Sequence, residues 1–288
     1  MDWTERRRRF RAILEGPRCV HPASVFDPLS ARIAEELGYE VGMLAGSVAS
    51  FAVLGAPDLI LLTLGEFAEQ AYRICRAGRL PLLVDADHGY GNALNVKRTV
   101  EELETAGVAA LSIEDTSLPA AFGAAKGAKL VSLEEGVGKM RAALAGREDP
   151  SLVIAGRTSA AALTSVEDAI LRVKAYEAAG VDALFLVGVR SKEALERVAA
   201  AVKLPLILGG AGPALADLDY LGAHNVRICL QGHQPFMAAV RAVYDSLKAL
   251  RDGTPPAEIA GVAPPALIER LTREADYRRW MEEFLGGR

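Results

Sequence analysis

Cysteine is scarce in this chain: Cys19, Cys75 and Cys229 stand alone, with no C-x-x-C pair among them. Each lies in an apolar stretch, so all three read as buried free thiols in a reducing compartment, and no disulfide framework is expected. Aromatic residues are also few, 6% of a chain of 288 residues that is 51% hydrophobic. A core built from Ala, Val, Leu and Ile favours buried parallel strands over an aromatic-rich β-sandwich. No apolar run approaches the ~18 residues of a membrane span. The charged N-terminus lacks the apolar segment of a secretory signal, so a cytoplasmic protein is expected. Long basic runs are missing too, and a formal charge of −4 argues against a nucleic-acid footprint. The basic cluster Arg6–Arg9 sits in a helix-like segment with Phe10, Ile13 and Leu14 and reads as a solvated helix face.

What is present alternates. Trp3 to Glu15 reads as an amphipathic lead-in helix, and Cys19-Val-His-Pro22 as a short strand. Helices are expected over 29–38, 66–77, 93–106, 132–144, 166–179, 192–202 and 235–250, with a short one about 215–221. Most are closed by glycine or opened by a capping residue such as Ser132. Between them lie short apolar runs at 41–44, 80–84, 109–113, 152–155, 183–187, 204–208 and 226–230. Eight strands alternating with helices are the arithmetic of an α/β fold of the (β/α)8 TIM-type barrel, which runs to roughly 250 residues. A doubly wound sheet is the alternative, but no strand carries a G-x-G-x-x-G fingerprint into a helix. The barrel is assigned to 1–252. A Pro-rich linker with Pro255, Pro256, Pro264 and Pro265 then leads to a helical tail over 253–288. Trp280, Met281, Phe284 and Leu285 make that tail apolar enough to require a surface, expected on a neighbouring subunit.

The chemistry gathers at strand ends. The run Leu80-Pro-Leu-Leu-Val-Asp85-Ala-Asp87-His88-Gly-Tyr90-Gly91-Asn92 delivers two carboxylates into a glycine-rich turn. Hard divalent cations such as Mg²⁺ take oxygen ligands and keep several waters. Asp85, Asp87 and Glu114 therefore form the candidate metal set, with Asp85 the direct ligand and Asp87, Glu114 and Asp58 ordering its waters. Arg157, ending the fifth strand, offers a planar fork to a carboxylate or to developing charge. The small segment Gly46-Ser47-Val48 reads as a loop whose amides and hydroxyl suit an anion. His233 follows the eighth strand and Gly210 the seventh; either borders the same mouth. Catalytic roles fall to Arg157, His233 and Asp58. Substrate binding falls to Gly46, Ser47, Val48, Arg157, His233 and Gly210. The pocket suits a small keto-acid dianion, and bond cleavage beside its carbonyl. Pro119 to Lys129, rich in Ala and Gly without a period, reads as a mobile loop.

Three segments, Val84–Asn92, Ile113-Glu114-Asp115 and Arg157-Thr158, resemble the isocitrate lyase/phosphoenolpyruvate mutase superfamily over roughly residues 17 to 250. Within it the chain is most similar to the oxaloacetate decarboxylase branch, through Ala23–Arg32, Gly46–Ser50, Glu134–Lys139 and Gly232-His233. The resemblance implies a barrel whose terminal helix is exchanged between paired subunits, a homotetramer, and Mg²⁺ or Mn²⁺. It places Asp85 on the metal and Ser47, Arg157 and His233 on the substrate. The implied reaction is metal-dependent decarboxylation of oxaloacetate, or a close β-keto acid, to pyruvate and CO₂.

Two departures bear on the substrate. The superfamily's lyases carry a cysteine on the lid, whereas Ala120–Lys129 has neither Cys nor His. The decarboxylase branch has a Tyr where this chain has Gly210. The alternatives are phosphonopyruvate- or carboxyphosphonate-type P–C chemistry, a C–C lyase on a related 2-keto or 2-hydroxy acid, and a non-catalytic dicarboxylate-binding barrel.

Overall fold

The computed structural model describes residues 3–123 and 127–286. Ala124, Ala125 and Lys126, part of the segment expected to be mobile, lie outside the described residues. The chain divides into two compact units, Met1–Gly232 and His233–Arg288. This division places the helix 234–251 in the same unit as the tail.

The first unit is built on eight parallel strands hydrogen-bonded in sequence order. They are β1 (Ala23–Ser24), β2 (Gly42–Leu44), β3 (Leu82–Asp85), β4 (Ala110–Glu114), β5 (Val153–Thr158), β6 (Ala183–Leu186), β7 (Leu206–Leu208) and β8 (Val226–Cys229). The Cys19–Pro22 segment is not a strand. Only Val20 pairs, in an isolated parallel bridge with Ile228 that joins the start of the chain to β8 and closes the ring. Pro22 has no N–H to continue such a ladder.

Between the strands run α2 (Pro28–Glu36), α3 (Gly46–Leu54), α4 (Leu64–Ala77), α5 (Ala93–Thr105) and α6 (Leu133–Gly146). They are followed by α7 (Ala160–Leu163), α8 (Val166–Ala179), α9 (Lys192–Ala201) and α10 (Leu218–Ala223). Local chemistry marks the starts. Asp27, Thr63 and Asn92 each form a reciprocal capping box at α2, α4 and α5, and Ser132 caps α6. Helices α3 and α7 depart from the sequence reading. The segment 46–50, expected as a loop, forms the first turns of α3, with Ala45 at the N-cap.

The core has two parts, separated by strand alternation. Val84, Leu111, Ile113, Ile154, Leu184 and Leu208 face outward against the helices. Met43, Leu83, Ala110, Val153, Ala155, Phe185, Ile207 and Ile228 fill the interior of the ring. Each such Leu, Ile or Phe, withdrawn from water, contributes roughly 1.5–3 kcal/mol.

The lead-in helix α1 (Trp3–Glu15) adds Phe10 and Leu14 to that interior cluster. Its basic cluster is solvated only in part, which corrects the sequence expectation: Arg8 and Arg9 are exposed, but Arg6 and Arg7 are buried. Arg6 donates to the carbonyls of Cys75 and Gly78. Arg7 donates to Glu104 O at 2.6 Å, Val108 O at 3.1 Å and the Asp149 carboxylate at 2.8 Å. These carbonyls lie where helices return to the starts of β3 and β4. The arginines thus satisfy backbone oxygens around the N-terminal rim, and the Arg6 guanidinium lies 4.8 Å from the Trp3 ring centroid.

The second unit holds α11 (Gln234–Arg251), α12 (Pro265–Thr272) and α13 (Glu274–Leu285). No residue of α11 or α13 is buried. No helix among the described residues is long and apolar enough to cross a membrane. All three cysteines are buried and free, as expected.

Candidate active site

The alternation that fills the ring also builds its polar upper layer. Leu83 points inward on β3, so Asp85, two residues on, points inward as well. By the same count Ala110 is followed by Ser112 and Glu114 on β4, and Val153 and Ala155 by Arg157 on β5. Sheet register sets Asp85 beside Ser112 and Glu114 beside Arg157. These residues end their strands, at the rim where barrel chemistry resides. Arg157 ties them together: one terminal nitrogen pairs with the Asp85 carboxylate, the other with Glu114 at 3.1 Å. Ser112 donates to Asp85 at 3.3 Å, and the Phe185 ring lies 5.3 Å beneath the Arg157 guanidinium. Apolar layers below and ion pairs above leave the carboxylates few positions to adopt.

Past Asp85 the chain turns sharply. Asp87 (φ 48°) and Tyr90 (φ 59°) are held in the left-handed region that side chains rarely occupy. The turn brings the Asp87 carboxylate against the start of α3, where a Cβ on Gly46 would stand 2.5 Å from its Oδ2. Only glycine permits that approach. Helix α3 has Ala45 at its N-cap and no side-chain cap. The amides of Gly46, Ser47 and Val48 thus carry the partial positive charge of a helix N-terminus without an intrahelical partner. The expected anion-binding segment is a helix start, a stronger device than a loop.

The electrostatics are crowded. Burial, then the charges of Asp85 and Glu114, push the Asp87 carboxyl well above the ordinary carboxylate range. Glu114 is raised by burial against the opposing pull of Arg157. Asp58 is raised by burial and by Asp85. Arg157 is held charged: burial disfavours its charge, but Asp85 and Glu114 outweigh that. Four carboxyl groups thus face one guanidinium, and a divalent cation would relieve the excess. Two buried polar atoms at this place also lack a hydrogen-bond partner among the described residues, Arg157 Nε and the Tyr90 hydroxyl.

Oxygen donors and surplus negative charge fit Mg²⁺ or Mn²⁺. No three His, Cys, Asp or Glu side chains among the described residues converge on one point. A cation here would therefore take few direct protein ligands and fill its shell with water and substrate oxygens, the usual habit of Mg²⁺.

The structure brings together Asp58, Asp85, Asp87, Glu114 and Arg157, with Gly46 against Asp87. Ser47 and Val48 follow Gly46 on α3, and Val48 is wholly buried. Gly210 follows β7, and a Cβ there would meet nothing nearer than the Leu230 carbonyl at 3.9 Å. His233 is the first residue of the second unit, at the N-cap of α11. Sequence reasoning named no role for Tyr90, Ser112 or Phe185. Residue spacing does carry a signal for the last two, since each keeps the inward phase of its strand.

These features define a barrel with an acidic rim beside an uncapped helix N-terminus, the layout of a barrel enzyme. The family model described as phosphoenolpyruvate phosphomutase matches residues 10–251, and the chain belongs to that family. It is 60% identical over 286 residues to an oxaloacetate decarboxylase of Bradyrhizobium diazoefficiens, with 99% of each chain covered. A protein of the same description from Rhodopseudomonas palustris is 58% identical over 286 residues, again with 99% of each covered. Among solved structures, oxaloacetate acetylhydrolase with the inhibitor 3,3-difluorooxalacetate superposes with a TM-score of 0.85 at 29% identity, covering 99% of this chain and 98% of the other. Phosphonopyruvate hydrolase with oxalate and Mg²⁺ also gives 0.85 at 29% identity, covering 97% of this chain and 99% of that one.

Proposed function

We propose that this chain is a divalent-metal-dependent oxaloacetate decarboxylase that releases pyruvate and CO₂. The observation that carries the reading is the inward polar layer in which Arg157 bridges Asp85 and Glu114 beside the uncapped start of α3. Relatives at 55–60% identity over nearly the whole chain bear the same description.

Asp85 holds the cation, Mg²⁺ or Mn²⁺, and Asp87, Glu114 and Asp58 order its waters. A bound cation supplies Lewis-acid stabilisation to negative charge developing on the keto oxygen. Arg157 and the amides of Gly46, Ser47 and Val48 bind and orient the substrate's carboxylates, with the Ser47 hydroxyl as a further donor. His233, carried over from the family resemblance, is a further substrate-binding group. The bond between C3 and C4 breaks, CO₂ departs without its electron pair, and C3 is then protonated to give pyruvate. The Tyr90 phenol stays protonated, raised by burial and by Asp87, Asp85 and Asp58, and its unpartnered hydroxyl can donate to a substrate oxygen. Loss of CO₂ demands no acid poised on a lid, which suits a 120–129 segment without Cys or His.

The active form is a homotetramer in the cytoplasm, with the tail of one subunit packing on another. The apolar and exposed residues Val240, Val243, Tyr244 and Leu247 of α11, with Trp280 and Phe284 of α13, support that assembly.

A panel of α-keto and β-keto acids, assayed with Mg²⁺ and with EDTA against a metal-only background, tests the function. Oxaloacetate is expected to give the fastest Mg²⁺-dependent release of pyruvate. Faster turnover of a longer acid would reassign the substrate to one that uses the open space beside Gly210. Phosphate released from phosphonopyruvate, with oxaloacetate inert, would refute decarboxylation.

A further inference from the structure

The turn after β3 is strained and yet tightly held. Asp87, Gly89, Tyr90 and Gly91 all have positive φ, at 48°, 79°, 59° and 149°. Side-chain-bearing residues persist in such conformations only where their surroundings impose them. Here three consecutive carbonyls each accept a hydrogen bond from a different element. Asp87 O accepts from the Glu114 amide of β4 at 2.8 Å. His88 O accepts from Lys139 Nζ of α6 at 2.9 Å, and Gly89 O accepts from Thr99 Oγ1 of α5 at 3.0 Å.

Two of these donors are side chains withdrawn from water, Lys139 at 2% exposure and Thr99 at 0%. Burying an ammonium is costly, and a Met of similar length would fill the same space without that cost. Lys139 faces Glu135, Glu114 and Asp115, yet its hydrogen bond goes to a main-chain oxygen of the turn.

We infer that Lys139 and Thr99 are positioning residues. By fixing the carbonyls of His88 and Gly89 they lock the turn, and so hold Asp85 and Asp87 ready for a divalent cation before it binds. This inference rests on the metal-site reading above. Groups that orient metal ligands without touching the metal commonly govern affinity by about 10–100-fold.

Mn²⁺ binding to the full chain, read from the electron paramagnetic resonance of free Mn²⁺, tests this beside turnover. The proteins are wild type, Asp85→Ala, Lys139→Met, Thr99→Val and Thr99→Ser. Binding by wild type and its loss in Asp85→Ala uphold the metal site. Lys139→Met and Thr99→Val are then expected to raise the Mn²⁺ Kd about tenfold or more, with most of the lost turnover recovered at saturating Mn²⁺. Thr99→Ser, which keeps the hydroxyl, stays near the wild-type Kd. Should Lys139→Met fail to fold, the Thr99 pair decides. A Kd within twofold of wild type in folded Thr99→Val, with only its melting temperature in EDTA lowered, would overturn positioning and leave a structural role. Wild type that binds no Mn²⁺, or Asp85→Ala that binds as wild type does, would overturn the metal site and this inference with it.

Discussion

Asp115 immediately follows the rim residue Glu114, yet its side chain points away from the substrate mouth into a buried network. It is fully buried, paired with Arg172 at 3.0 Å and accepting from the Tyr176 hydroxyl at 2.6 Å. Arg172 also donates to Val131 O at 3.1 Å, and the Val131 amide donates to Asp115 O at 2.8 Å. Both roots of the 116–130 segment are thereby tied to α8. Asp115→Ala would take the buried partner from a guanidinium whose side chain is only 10% exposed, leaving it Asp168 and the Val131 carbonyl, and would leave a buried phenol without an acceptor. Removing one member of such a pair costs about 3–5 kcal/mol. At about 2–4 °C per kcal/mol for a domain near this size, the melting temperature should fall by roughly 10 °C. Urea unfolding at fixed protein concentration measures the cost. The triple variant Asp115→Leu, Arg172→Met, Tyr176→Phe, which removes all three buried polar side chains together, should cost less than the single change. A single-variant cost below about 1 kcal/mol, or a triple variant that is worse, would refute the reasoning.

Two further outcomes follow from the geometry. Gly46→Ala puts a Cβ 2.5 Å from Asp87 Oδ2, so kcat/KM on oxaloacetate should fall at least about tenfold, while helix propensity keeps the stability change within about 1 kcal/mol; unchanged kcat/KM would mean that Asp87 yields freely. His88 is buried, and burial together with the Lys139 charge lowers its pKa from 6.5 to about 4. The fold thus favours the neutral ring. Its contribution is fully present above pH 6.5 and is lost as pH falls from 6.5 through about 4, a loss of roughly 3 kcal/mol. Unfolding in EDTA across that window should show this slope, and His88→Gln should flatten it; an equal slope in the variant would assign the effect elsewhere.

The legible part of this molecule is the part governed by short-range pattern. Apolar runs set β2 to β8 to within three residues, though not β1, and the cap at Ser132 sets the start of α6. The phase of β3, β4 and β5 is equally readable, because a period of two carries each inward position straight to the rim. Leu83 leads to Asp85, Ala110 leads through Ser112 to Glu114, and Ala155 leads to Arg157. What long-range packing decides is not readable. Arg6 and Arg7 look like a charged surface until the carbonyls of Cys75, Gly78, Glu104 and Val108 are brought to them. Tyr176 lies 61 residues from Asp115, so no spacing rule joins them. Val20 pairs only because Ile228 comes round to meet it.

The central claim is that Asp85 holds the cation on which decarboxylation depends. The direct measurement is pyruvate formation from oxaloacetate over a Mg²⁺ titration, with the metal-only rate subtracted, for wild type and Asp85→Ala. Wild type should show saturable Mg²⁺-dependent turnover that EDTA abolishes, and Asp85→Ala should not rise above the metal-only rate at any Mg²⁺ concentration. Turnover in Asp85→Ala equal to wild type, or wild-type turnover indifferent to EDTA, would contradict the account.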